Sequence, residues 1–238
     1  MQEDYTRPGW LPRATGYIPA PVRDVLARAA ISIARRSRAE TFCFDGRTYP
    51  YLFHPYNLAW KNERTVEVPV VSALLAEYPG EVLEVGNVLS HYIEADHDIV
   101  DKYEVAPRVV NQDVTTFDPG KLYDLIISVS TVEHIGASER PRDPRKAADA
   151  VAHLRSLLAP GGRLLVTIPV GLNEDLDAVI MRRETPFTEL KAMRRVSHRN
   201  EWEEIDSGSA WRSGYCSKGY RANAVVFCYC DRAAEEPA

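Results

Sequence analysis

The stretch Glu81-Val-Leu-Glu-Val-Gly-Asn87 constrains the fold more than any other in the chain. Val82, Leu83 and Val85 form a short apolar run, and Tyr78-Pro79-Gly80 punctuates the chain just before it. Such a run between turn residues reads as a strand buried on both faces, the habit of parallel sheets. Glu84 interrupts it one residue before its end. A carboxylate there is costly unless partnered, so it is expected to face a ligand or loop amides. Gly86 follows at the turn, where the missing Cβ lets backbone approach a ligand closely. In doubly wound sheets, ligands bind beyond the carboxyl ends of the central strands.

The following blocks keep a strand rhythm. Asp98-Ile-Val-Asp101 leads into Lys102, and Arg108 to Asp113 comes next. Leu122 to Ser130 is the longest block and runs into Thr131-Val-Glu-His134. Asp143 and Pro144 then suit an N-cap and a first helical position. Ala147, Val151, Leu154, Leu157 and Leu158 predict an inward helix face ending at Ala159-Pro-Gly-Gly162. Strands are expected over 163–168, 224–230 and, within an irregular segment 170–221, over 187–197 and 201–205. The alternation argues for an α/β sheet.

Before the central strand the pattern is different. Residues 1–20 read as an irregular arm. Pro21 opens a basic helix whose Val22, Val25, Leu26, Ala29 and Ile33 are expected to pack on the domain. Asp45-Gly46 marks a tight hairpin turn between aromatic strands. His54, Tyr56, Asn57 and Trp60 follow. Residues 1–60 are therefore expected to form an extension that is either a lid and substrate wall or a small accessory core. Residues 61–232 then form the α/β domain, with 170–221 shaping the substrate site and 233–238 a disordered tail. A helix over 62–78 must kink or restart at Pro69. Arg64 and Glu67 are expected on its exposed face, Arg64 within reach of an anionic ligand.

A formal net charge of −5 gives no pull toward nucleic acid or anionic membrane. No basic track with interleaved aromatics suggests a nucleic-acid groove. No apolar run approaches the roughly 20 residues that span a bilayer, and no secretory pattern opens the chain, so the expected location is cytoplasmic. Cys43, Cys216, Cys228 and Cys230 show no C-x-x-C pair and are expected to be buried thiols. His91, Glu94, Asp96, His97 and Asp98 are contiguous; contiguous ligands rarely converge on one ion, so an acidic loop is expected and no metal.

In this order the blocks resemble the class I S-adenosylmethionine-dependent methyltransferases, particularly their small-molecule branch, over about residues 80–170 and the last strand. Val-Leu-Glu84-Val-Gly86 is similar to the acidic-x-Gly opening of their first motif, and Asp101 to the acid that takes the ribose hydroxyls. Gln112-Asp113-Val114 resembles the segment beside the adenine. Glu133-His134 resembles the step after the fourth strand, and Leu158 to Val166 the Pro-Gly-Gly turn and fifth strand. The resemblance implies a Rossmann-like, doubly wound, mostly parallel sheet carrying an N-terminal helix and hairpin. It also implies S-adenosylmethionine as cofactor, a small-molecule acceptor, and a donor site of Glu84, Gly86, Asn87, Asp101, Lys102, Asp113, Val114 and Ser130. The sequence departs from the family in keeping only Gly86 of the glycine loop. Only Asn87 to His97 separate the first two strands, so the usual first helix must be short or missing.

The implied chemistry is displacement of a methyl group by an acceptor nucleophile held in line, with a hydroxyl expected. A general base would then help, typically ~10²–10⁴-fold. His134, just past a strand's carboxyl end, is the first candidate and His54 the second. Tyr56, Asn57 and Arg64 are expected to bind acceptor. A nucleotide-using oxidoreductase and a catalytically silent binding protein remain as alternatives, and a homodimer is open.

Overall fold

The computed structural model describes residues 20–216 and 221–234. Of the arm expected over 1–20, residues 1–19 lie outside them, as do Gly219 and the last residues of the expected tail, while Ala20 opens a helix. In chain order the helices are α1 (Ala20–Ser37), α2 (Arg64–Leu75), α3 (Lys146–Ser156), α4 (Glu174–Met181) and α5 (Ser207–Ala210). The strands are β1 (Thr41–Phe44), β2 (Arg47–Pro50), β3 (Val82–Val85), β4 (Asp98–Val100), β5 (Val109–Val110), β6 (Tyr123–Val129) and β7 (Leu158–Pro169), followed by β8 (Glu189–Arg195), β9 (Trp202–Ile205), β10 (Tyr215–Cys216), β11 (Arg221–Ala222) and β12 (Ala224–Asp231).

The main sheet runs β5-β4-β3-β6-β7-β12-β8-β9. Pairings from β5 to β7 are parallel, and β12 is antiparallel to both β7 and β8. The chain moves outward one way through β4 and β5 and the other way from β6, so the switch point lies between β3 and β6. This is a Rossmann-like, mostly parallel α/β sheet. Every residue of β3 is buried, as its apolar run requires.

Alternation along the strands divides the core. Val225, Phe227 and Tyr229 of β12 face α2 and the β1–β2 hairpin, while Ala224, Val226, Cys228 and Cys230 face α3 and α4. Asp45 and Gly46 both take positive φ, 52° and 70°, as a two-residue hairpin turn demands. The hairpin's Phe42, Phe44, Tyr49 and Tyr51 are buried, and Phe44 meets Phe227 with ring centroids 4.5 Å apart. Burying such a ring is worth about 1.5–3 kcal/mol. These aromatics are core, and none of them lines the cavity at the carboxyl edge of the sheet.

Several expectations need correction. α2 is one helix through Pro69. The Thr65 carbonyl, which proline leaves without its helical donor, receives the Leu52 N–H at 3.0 Å instead. Arg64 and Glu67 are buried, not surface charges. On α1, Val25, Leu26, Ala29 and Ile33 point outward, the side chain of Val22 lies outside those described, and Ile31 is the buried apolar residue among the described ones. The expected strand over 108–113 shrinks to Val109–Val110, and α3 starts at Lys146 rather than beside Pro144. The Pro-Gly-Gly turn lies inside β7, where a Cβ on Gly162 would stand 2.8 Å from the Tyr123 carbonyl oxygen. Cys228 and Cys230 are buried, but Cys43 is exposed and Cys216 half-buried. The segment 170–221 also contains α4, whose N-cap Asn173 accepts the Leu176 N–H. Among the described residues no helix is long and apolar enough to cross a membrane.

Candidate functional site

At the carboxyl edge of β3, β4 and β6 lies a cavity of about 530 Å³, lined by Gly86, Asp101, Gln112, Val114, Thr131 and His134 among others. Gly86 (φ +85°) is required there, since a Cβ would stand 2.4 Å from the Thr131 hydroxyl oxygen. Val85, Val100, Val114 and Ile135 give the cavity apolar walls.

The glycine-poor loop after β3 is held by Glu84. Its Oε1 accepts the N–H groups of Val88 and Leu89 at 2.9 and 2.7 Å, and its Oε2 stands 2.8 Å from His97 Nε2. Glu84 is fully buried and does not line the cavity. The missing helix survives as one turn, Leu89–His91. His91 pairs with Glu104 and Asp96 with Arg108, so the polar side chains of this loop diverge. No trio of His, Cys, Asp or Glu among the described residues is placed to hold a metal ion.

Asp101 faces the cavity with a carboxylate fixed by backbone. Oδ1 accepts the N–H groups of Tyr103 and Glu104 at 2.7 and 2.8 Å, and Oδ2 accepts that of Asn87 at 3.2 Å. Two carboxylate oxygens offer about four acceptor sites, so one remains, on Oδ2, for a ligand hydroxyl. Asn87 itself is buried, its amide donating to Glu104 Oε1 at 2.7 Å.

Lys102 and Asp113 also line the cavity, but they are bound to each other. Lys102, Asp113, Lys146 and Glu139 close a four-membered ring, with contacts of 2.9, 2.6, 2.6 and 2.9 Å in that order. Burial pushes the Asp113 carboxyl upward, but hydrogen bonds from Lys146 and Lys102 outweigh it and hold it well below the usual range. The ring ties the end of β4 to the loop before α3 and to α3 itself.

His134 ends the turn Val132–His134 with 55% of its side chain exposed, and it lines the cavity. Although the ring is more than half exposed, partial desolvation by the protein around it, together with the Arg64 charge, lowers its pKa below the ordinary imidazole value. Nδ1 is 3.3 Å from Ser138 Oγ. Ser130 lies behind this wall at φ 39°, a left-handed position costing about 1–3 kcal/mol for a residue with a Cβ. Its hydroxyl donates to Glu67 Oε1 at 2.5 Å, and its carbonyl accepts from Arg64 Nη2 at 3.3 Å.

The expected acceptor residues do not line this cavity. Tyr56 stacks on His91 at 4.0 Å, and His54 meets Tyr92 edge-on at 5.2 Å, forming an aromatic patch. Asn57 has a left-handed backbone (φ 49°), and its carbonyl accepts from Asn62 Nδ2. The buried Arg64 acts by its charge on both Tyr56 and His134. Glu133 was singled out only as a motif position; it is 1% exposed, and neither carboxylate oxygen has a hydrogen-bond partner.

No family model matches this chain, and no curated protein matches it. Among solved structures it is similar to the N-methyltransferase NodS from Bradyrhizobium japonicum WM9 in complex with S-adenosyl-L-homocysteine, at 14% identity and a TM-score of 0.47, covering 75% of this chain and 91% of that one. It is also similar to the 1,6-didemethyltoxoflavin-N1-methyltransferase of Burkholderia thailandensis, at 15% identity and a TM-score of 0.44, covering 82% and 100%. A possible histamine N-methyltransferase from Thermotoga maritima gives 17% identity and a TM-score of 0.41, covering 68% and 87%. At this level of overlap the likeness is one of chain path.

Proposed function

We propose that this chain transfers a methyl group from S-adenosylmethionine to a small-molecule acceptor. The observation that carries the reading is the cavity at the switch point, with the Asp101 carboxylate at one side, the Gln112-to-Val114 segment at another and His134 at a third. The residues fit the donor's chemistry. Asp101 keeps one acceptor site free for a ribose hydroxyl, and the valine walls suit an adenine ring. Nothing cradles a pyrophosphate, because the loop after β3 has one glycine and a single helical turn beneath it. That disfavours a dinucleotide.

S-adenosylmethionine supplies, when bound, an electrophilic methyl group on a sulfonium sulfur. The chain's part is to exclude water, hold the acceptor and receive its proton. We propose a hydroxyl acceptor with His134 as proton acceptor. The lowered pKa keeps the ring neutral, and so able to take a proton, at neutral pH. Tyr56 and His54 would form the acceptor's outer wall. The test is to supply methyl-labelled S-adenosylmethionine with small-molecule extracts and follow label into products by mass spectrometry. Transfer to an alcohol would support the reading, and no transfer despite donor binding would favour a silent binding protein.

A further inference from the structure

The apolar residues of α1 recur at helical spacing, yet they face away from the domain. Val25, Leu26 and Ile33 are 65%, 55% and 68% exposed, and Ala29 is exposed as well. A spacing of four sets Val25, Ala29 and Ile33 on one stripe, with Leu26 beside it. The helix is fastened through its other face. Ile31 is buried there, and the Arg35 guanidinium lies over the Phe53 ring at 5.1 Å. Just past the helix, the buried Arg38 donates to the Asn200 carbonyl at 2.9 Å and to the Thr65 hydroxyl at 2.7 Å. The stripe is therefore held outward.

An open groove of about 930 Å³ runs beside the same helix. Ile33 belongs to both, and Ala30, Ala34 and Trp60 continue the apolar wall. Lys61, Arg199 and Arg221 also line the groove, and no carboxylate does. Arg28 and Arg36 are exposed on α1, each three residues beyond a member of the stripe and so neighbouring it. Glu201, at the end of the loop that carries Arg199, is engaged by the Ser197 hydroxyl at 2.7 Å. The net charge of −5 for the whole chain conceals this basic patch.

We propose that α1 and this groove seat the protein on an anionic lipid surface. The stripe enters the acyl boundary, and the basic side chains meet the headgroup phosphates. A helix with an exposed apolar face and arginines beside it lies in the plane of such an interface, where long basic side chains reach from apolar surface to charge. A second copy of the chain fits less well, since pairing stripe on stripe would bring two sets of Arg28 and Arg36 together. Residues 1–19 carry two acids and two arginines, so they have no surplus negative charge to answer the patch. The site is independent of the methyl-transfer reading, because none of these residues lines the donor cavity.

The experiment is flotation of the whole chain with vesicles of phosphatidylcholine, alone or with about one third phosphatidylglycerol, at about 0.1 M and about 0.5 M salt. Anionic vesicles should bind at least about tenfold more tightly than neutral ones at low salt, because each basic residue at such a surface contributes roughly fivefold. High salt should remove the difference. Leu26→Asp with Ile33→Asp, and separately Arg28→Glu with Arg36→Glu, should each weaken binding about tenfold or more with melting temperature unchanged, since all four positions are exposed. Equal binding to both vesicles, binding to neither, or loss in only one of the two variants would overturn the proposal. So would release of the vesicles by millimolar inorganic phosphate at constant ionic strength, which would make the groove a site for a soluble anion. A wild-type dimer that Ile33→Asp separates in sedimentation velocity would assign the stripe to a second copy instead. The lipid and salt comparisons use wild type alone, so a misfolded variant would not mask the answer.

Discussion

Glu84 Oε2 and His97 Nε2 stand 2.8 Å apart beneath the loop after β3, while Glu84 Oε1 holds two N–H groups of the same loop. One buried side chain therefore fastens both ends of the segment that replaces a glycine-rich turn and helix. The loop keeps its path with Val88 and Ser90 where glycines would be expected, because its amides are satisfied from below.

Replacing Glu84 with Gln should therefore destabilise the chain. The amide can keep one acceptor for the loop N–H groups but turns a donor toward His97 or Val88. Hydrogen bonds to a charged group contribute about 1.5–3 kcal/mol each, so a loss of about 2–4 kcal/mol is expected in urea unfolding. An unchanged midpoint would show that the loop holds itself.

Asp177 offers a test of pH linkage. It is buried, Oδ2 accepts the Gly171 N–H at 2.7 Å, and Oδ1 has no partner. Burial, opposed by that hydrogen bond, raises its pKa from 3.8 to about 6. The folded state then binds the proton more tightly than the unfolded state. Its stabilising contribution is full below about pH 4 and is lost as pH rises through about 6. Asp177→Asn should be more stable than wild type at pH 8 by roughly 1–3 kcal/mol, with the advantage shrinking toward pH 4. A difference independent of pH would contradict this assignment.

Much of the frame was legible because strand ends and turns carry local signals. Gly86, Asp101, Lys102, Asp113, Val114 and His134 come together because each lies at or just beyond the carboxyl end of a strand. The rest depended on distant partners. Arg64 and Glu67 read as surface charges because helical periodicity cannot show that the Ser130 carbonyl accepts from one and the Ser130 hydroxyl donates to the other. Pro69 read as a break because the rescuing N–H comes from Leu52, in another element. The missed α4 did have a signal, the Asn173 cap followed by Leu176, Val179 and Ile180 at helical spacing.

His134→Asn tests the proposed base. If the ring accepts the acceptor's proton, kcat should fall about 10²-fold or more while donor affinity holds. The wild-type rate should rise with pH through an apparent pKa below 6.5, since burial and Arg64 lower it, and plateau by neutrality. The variant should lose that limb. Weaker donor binding with the limb preserved would make His134 a pocket residue.

The central claim is that the switch-point cavity holds the methyl donor through Asp101, and calorimetric affinity for S-adenosylhomocysteine tests it most directly. Wild type should bind, and Asp101→Ala should bind at least about tenfold more weakly, the loss of one charge-assisted hydrogen bond or more. Because Asp101 also caps the Tyr103, Glu104 and Asn87 amides, the variant's melting temperature is measured alongside. Equal affinity in the two proteins, or no binding by wild type while NAD binds, would contradict the account.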